Sequence, residues 1–221
     1  MSRVWIDIET LPADWSEDQK AEHAAAKVPK NYSKPESVAK WVTENAEEEH
    51  RRTALESTQG RILCVGWCLE SEPDEVKVAI SDGTVASEDE MLGKLEKSLR
   101  EHRPATIVAH NGVRFDFRWL RNRALLHGRY GLARRFFQAK PWDTHLADTY
   151  AAWVAPDRSG RGKLTDVCRF LGIEVLADEI DGSQVYDRWL AGDMGAIITH
   201  VHADVLALRD LDQVLCRGGL L

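Results

Sequence analysis

The chain has 221 residues, of which 43% are hydrophobic and 29% charged, with a net charge of −7. That length suits one α/β domain with a full core or two very small ones, and the balance excludes a disordered or fibrous protein. No apolar run approaches the roughly 20 residues that span a bilayer, and Asp7 stands where a secretory signal would need to be apolar. A cytoplasmic protein with no membrane partner is expected. Cys64, Cys68, Cys168 and Cys216 lie without the spacing of a zinc site and read as reduced thiols.

Taken in chain order, residues 3–9 (RVWIDIE) read as a strand that ends at Leu11-Pro12. Residues 13–60 are polar and carry a helical stretch at 36–56, with Val38, Trp41 and Val42 on one face and Ala46 near it. They hold too few apolar residues for a core of their own, so they read as an insertion between two strands. Strands are predicted at 61–69 and 75–80, joined by the turn-like ESEPD. A helix follows at 87–102, capped by Ser87 with Glu90 closing a capping box, and it buries Met91, Leu92, Leu95 and Leu99. Residues 105–110 form a short buried strand, and a helix carrying Phe115, Trp119 and Leu120 comes after Asn111-Gly112. A last strand is expected around 139–143, leading into a helix at 143–153. After the loop at 157–162, helices are predicted at 163–171, 182–191 and 193–216. Strands first, then alternation, then helices, describe an α/β sheet flanked by helices.

Three groups of residues carry chemistry. Asp7 and Glu9 share one face of a strand, about 6.6 Å apart along the chain. Taken alone, such a pair also reads as a solvated face. Trp5, Ile6 and Ile8 mark the strand as buried on both sides, however, and buried carboxylates need compensation that a hard cation supplies. His110-Asn111-Gly112-Val113-Arg114-Phe115-Asp116 lies between a strand end and a helix, the edge where open sheets bind ligands. A simple turn and a helix-capping Asp are its plainer readings. In the last helix His200 and Asp204 are four apart and share a face, while His202 points elsewhere. Four acids from three elements can converge only around cations. Two Mg²⁺ or Mn²⁺ ions about 4 Å apart suit phosphodiester hydrolysis, with a histidine to take the proton from water.

The order Asp-x-Glu, Asn-x-x-x-Phe-Asp, His-x-x-x-Asp resembles the DEDD superfamily of 3′–5′ exonucleases from Val4 to about Leu211. The phrases IDIETLP, GRILCVGW, AHNGVRFDFRWL, KLTDVCRFLGI and GSQVYDRWLAGD are similar to phage and bacterial exonucleases related to the proofreading domains of family-B polymerases. The resemblance implies a ribonuclease H-like mixed sheet flanked by helices, with the partly helical insertion after the first strand. It implies Asp7, Glu9, Asp116 and Asp204 as metal ligands and His200 as base. Thr10 and Leu11 would approach the terminal nucleotide, with Leu11 as a wedge unless it packs in the core. Asn111 would sit near the scissile phosphate, and Phe115 from the same motif would join the substrate site. The last motif departs from the family: it has the spacing of its tyrosine class and the residue of its histidine class. His202 is therefore the alternative base.

From Phe117 to Trp142 the chain has no acidic residue and seven basic ones: Arg118, Arg121, Arg123, Arg129, Arg134, Arg135 and Lys140. A one-sign block in an acidic protein points to an anionic partner. The resemblance places it beside the site, with Arg118 and Arg121 on the phosphates and Arg158, Arg161 and Lys163 adding to it. The expected activity is removal of nucleotides from the 3′ end of DNA, single-stranded for preference, with duplex DNA or RNA as alternative substrates. A catalytically weak nucleic-acid-binding subunit is the rival reading.

Overall fold

The computed structural model describes all residues except 1, 139, 141, 142, 157–159, 178 and 179. The elements run β1 (Arg3–Leu11), α1 (Glu17–Ala25), α2 (Pro35–Arg52), a 3₁₀ turn (Thr53–Leu55), β2 (Arg61–Leu69), β3 (Glu72–Ile80), α3 (Val85–His102) and β4 (Thr106–Ala109). They continue with α4 (Asp116–Leu126), α5 (Tyr130–Arg135), β5 (Leu146–Asp148), α6 (Thr149–Val154), α7 (Leu164–Phe170), a second 3₁₀ turn (Gly182–Gln184), α8 (Val185–Leu190) and α9 (Met194–Arg217). The sheet order is β3-β2-β1-β4-β5. β1 and β3 flank β2 antiparallel, whereas β4 runs parallel to β1 and β5 parallel to β4. All four cysteines are free, and among the described residues no helix is long and apolar enough to cross a membrane.

β1 is central, and its two faces feed two cores. Val4, Ile6 and Ile8 join Met91, Leu92, Leu95, Trp119 and Leu120 on the α3–α4 side. Trp5 and Leu11 join Val201, Val205, Leu208 and Leu211 on the α9 side. Alternation along the strand therefore puts Asp7 and Glu9 on the α9 side. Two contacts hold α9 there. Asp212, wholly buried, accepts from Arg3 Nη2 at 2.7 Å and from Trp5 Nε1 at 2.9 Å. Gly66, the β2 partner of Asp7, leaves room for the helix: a Cβ there would stand 2.3 Å from Val201 Cγ1.

Several boundaries differ from the sequence reading. Ser16 caps α1 through a capping box with Gln19, in a stretch that had shown no helical signal. β3 starts at Glu72, so the turn is shorter than ESEPD, and an irregularity between Cys68 and Leu69 absorbs the difference. α3 begins earlier than expected. Gly83, at a positive φ of 90°, turns the chain so that Thr84 is the cap, accepting from Ser87 N, and no Ser87–Glu90 box forms. The last strand is Leu146–Asp148, inside the stretch expected to be helical. Part of the 139–143 segment expected as strand lies outside the described residues, and 143–145 are not strand. Three residues carry no periodicity, so pairing with β4 decides their conformation.

Gly66→Ala is expected to lower stability by about 1–3 kcal/mol, because the helix must move off the sheet or the valine leave its rotamer. Urea denaturation measures this; an unchanged midpoint would mean that α9 is not seated by that contact.

Candidate active site

Asp7, Glu9 and Thr10 come from the C-terminal half of β1, where the pairing with β2 is interrupted by a bulge between Glu9 and Thr10. Asp116 opens α4 and is buried. It follows a loop in which Asn111 has a positive φ of 64°. Asp148 ties that loop down, accepting from Asn111 N at 2.9 Å and Val113 N at 3.0 Å while it caps α6. His200 and Asp204 come from α9. Asp7, Glu9, Thr10, Asn111, Phe115, Asp116, His200 and Asp204 all line one cleft of about 800 Å³. His202 does not line it. His200 Nε2 lies 3.2 Å from Glu9 Oε1 and 3.9 Å from Asp204 Oδ2.

The electrostatics of this floor are unfavourable without a cation. Burial, then the charges of Asp116, Asp204 and Glu9, hold the Asp7 carboxyl well above the usual carboxylate range. Burial pushes Asp116 up to about 8, partly opposed by its own backbone N–H and that of Ile8, and helped by the charges of Asp148 and Glu9. Asp7 Oδ2 is buried with no hydrogen-bond partner, a costly state for a carboxylate oxygen. Among the described residues no three acids or histidines are gathered into a ready ligand shell. The donor set is nevertheless one of hard oxygens, which suits Mg²⁺ or Mn²⁺, and the orphaned Asp7 oxygen is of the kind a cation would satisfy.

Other expected site residues fall elsewhere. Leu11 is fully buried in the α9-side core and cannot wedge against a base. Its place on the same strand face as Trp5 decides this. Thr10 lines the cleft, but its hydroxyl donates to the Ala54 carbonyl at 2.7 Å. Neither Arg118 nor Arg121 lines the cleft. Arg118 comes as near as the rim, with Nη2 3.4 Å from the Leu55 carbonyl. Arg121 donates to its neighbour Asn122. The basic block is in large part structural. Arg123 is buried with both arms on Glu88, which also contacts His127 and accepts from Ile62 N. Arg129 pairs with Asp89 and Glu96. The acids missing from the block come from α3, which only the tertiary fold brings alongside. Arg158 lies outside the described residues, and Arg161 does not line the cleft.

Among the described residues, the Arg and Lys side chains that do line the cleft are Arg51, Arg52, Lys163 and Arg169. Of these, only Lys163 was picked out in the sequence. Arg51 and Arg52 sit in EEEHRR at the end of α2, where the pairing of Arg52 with Glu48 and Glu49 resembles an ordinary solvated helix. Asp148 also escaped notice. The signal available was Asp-Thr at the start of a helix, a common cap.

The sequence profile of the RNase_H superfamily matches residues 49–216, more than half of the chain. The chain belongs to the RNase H superfamily. It is similar to an uncharacterized protein of Methanocaldococcus jannaschii, 27% identical over an alignment of 178 residues that covers 76% of this chain and 93% of the relative. It is also similar to the solved structure of the family B DNA polymerase from the hyperthermophilic archaeon Pyrobaculum calidifontis. That match has a TM-score of 0.62 over 98% of this chain at 16% identity, and this chain spans 24% of the polymerase chain. That likeness is one of fold, and it reaches β1, which precedes the span matched by the family profile. The mixed five-stranded sheet flanked by helices is thus ribonuclease H-like. Membership of this family supports a nuclease function, with a nucleic acid as substrate.

The raised Asp116 has a consequence for stability. A carboxyl with a higher pKa folded than unfolded holds its proton more tightly in the native state, so stability falls as pH rises from 3.8 to about 8. In EDTA, Asp116→Asn is expected to flatten that decline and melt higher than wild type at the upper end of the window. Mn²⁺ should raise the wild-type melting temperature more than the variant's. A variant that melts no higher than wild type in EDTA would contradict the buried charge.

Proposed function

We propose that the protein is a metal-dependent 3′–5′ exonuclease that hydrolyses phosphodiester bonds from the 3′ end of DNA, single-stranded for preference, and releases nucleoside 5′-monophosphates in the cytoplasm. In this reading residues 1–221 form one catalytic domain, with 13–60 inserted in it. One observation carries the proposal: Asp7, Glu9, Asp116, Asp204 and His200, from three separated parts of the sequence, line the same cleft.

Asp7, Glu9, Asp116 and Asp204 would hold two Mg²⁺ or Mn²⁺ ions. Bound there, the ions would neutralise the acids, lower the proton affinity of the attacking water and offset charge on the leaving oxygen. The chain's own residues supply the rest. His200, beside Glu9, takes the proton from that water in this reading. Asn111, on its tied-down loop, presents an amide to the phosphate. Phe115 adds an aromatic side chain to the lining of the cleft. Arg52, Lys163 and Arg169 also line the cleft; each meets an acid, but at exposed positions where a phosphate can compete for the cation. Such contacts follow the backbone and not the sequence, so binding should be weakly selective for base and strongly weakened by salt.

End-labelled single- and double-stranded DNA and RNA, incubated with Mg²⁺, Mn²⁺ or EDTA, test this directly. The expected product is a ladder shortening from the 3′ end that needs metal and vanishes in Asp7→Ala. Internal cuts or indifference to EDTA would reject the reading, and a ladder on RNA alone would reassign the substrate.

His200→Ala should lose about 100-fold or more in rate. The wild-type rate should fall as pH drops through the range where an imidazole gains its proton, and the variant should lose that limb. A variant that keeps most of its rate removes His200 from the mechanism.

Lys163→Ala should raise KM and reduce the salt slope of binding by about 1, while Arg121→Ala leaves both unchanged. Equal effects from the two would restore the basic block to the binding surface.

A further inference from the structure

The insertion forms one wall of the cleft through Glu48, Arg51, Arg52, Ala54 and Leu55. Lys163, Leu164, Arg169, Ile180 and Tyr186 contribute to a second wall. Among the described residues, the ion pairs and ring contacts that join the two walls gather at one place. Arg51 Nη2 lies 2.7 Å from Asp187 Oδ1, and its guanidinium carbon stands 5.0 Å from the centre of the Tyr186 ring. His50 meets that ring edge-on at 6.0 Å. The junction has a fixed base. His50 is buried, with Nε2 2.7 Å from the Ala13 carbonyl, so the end of α2 is tied to the chain leaving β1. Arg51 is also steadied by Glu47 at 3.1 Å.

We propose that this junction closes the cleft at one end, so that it admits a strand terminus and refuses a strand that continues in both directions. Arg51 is then the positioning residue that sets terminal against internal cleavage. The inference rests on the exonuclease reading above and gives the insertion its task. A strand cut internally must enter and leave the site, which needs a channel open at both ends. A strand cut at its terminus needs only one opening. At the scissile phosphodiester the two strands are alike; they differ beyond it, where a terminus ends in a free 3′-hydroxyl and a continuing strand carries a further phosphate and nucleotide. That further length of chain needs room, and the walls meet at Arg51, where it would have to pass.

The test compares a covalently closed circle of single-stranded DNA with its linear form, in Mg²⁺. Wild type should degrade the linear strand and spare the circle. Arg51→Glu reverses the charge at the junction and should cut the circle about tenfold faster than wild type, the scale of losing one exposed ion pair and one cation–π contact together. Asp187→Arg added to Arg51→Glu should restore discrimination. Asp187→Asn, at an exposed position, removes the same ion pair with little risk to folding and should shift cleavage in the same direction. A folded Arg51→Glu that spares the circle as wild type does would overturn the junction's role, as would a wild type that itself cuts the circle. A wild type inert on linear DNA overturns the exonuclease reading and this inference with it.

Discussion

The seating of α9 against β1 and β2 is the contact on which the site depends. β1 brings Asp7 and Glu9, and α9 brings His200 and Asp204. The distance between the two pairs is set by how closely the helix approaches the sheet. Gly66, opposite Asp7, permits that approach, and Val201 fills the space a side chain would have taken. At the other end of the same seam, Asp212 takes hydrogen bonds from Arg3 and Trp5. A buried carboxylate with two good donors is costly to disrupt, so the register of helix against strand is fixed well away from the chemistry. The like charges at the site then cannot relieve their repulsion by moving apart.

That repulsion is the second theme. Asp7 and Asp116 are both held above the ordinary carboxylate range by burial and by their neighbours. The fold therefore carries a destabilised floor that a divalent cation would stabilise, a common relation between active sites and the scaffolds that bear them. Asp148 makes a related contribution from behind: it shapes the Asn111 loop by accepting two backbone N–H groups, and its charge presses on Asp116.

The arginines show why charge along a sequence is a poor guide to charge on a surface. The acid-free stretch from Phe117 to Trp142 reads as a patch for an anionic partner. In the fold, Glu88, Asp89 and Glu96 of α3 neutralise Arg123 and Arg129. The cleft instead takes cations from α2 and α7, including Arg51 and Arg52, which in sequence look like members of a mixed-charge helix. Leu11 is a parallel case. It follows the acid pair directly, yet strand alternation turns it into the core beneath the site.

By itself the sequence determined the order of the strands and of most of the helices, the two-sided burial of β1, and the identity of the acids that meet in the cleft. These were legible because they rest on local rules: alternation along a strand, the i and i+4 face of a helix, and residue types whose chemistry is narrow. Only the tertiary structure decided which histidine faces the cleft, which arginines are already paired, where the three-residue β5 forms, and that the insertion becomes a wall. Each of these depends on partners distant in sequence. Burial and charge pairing are properties of the assembled surface, and a linear pattern carries no record of what will be packed against it.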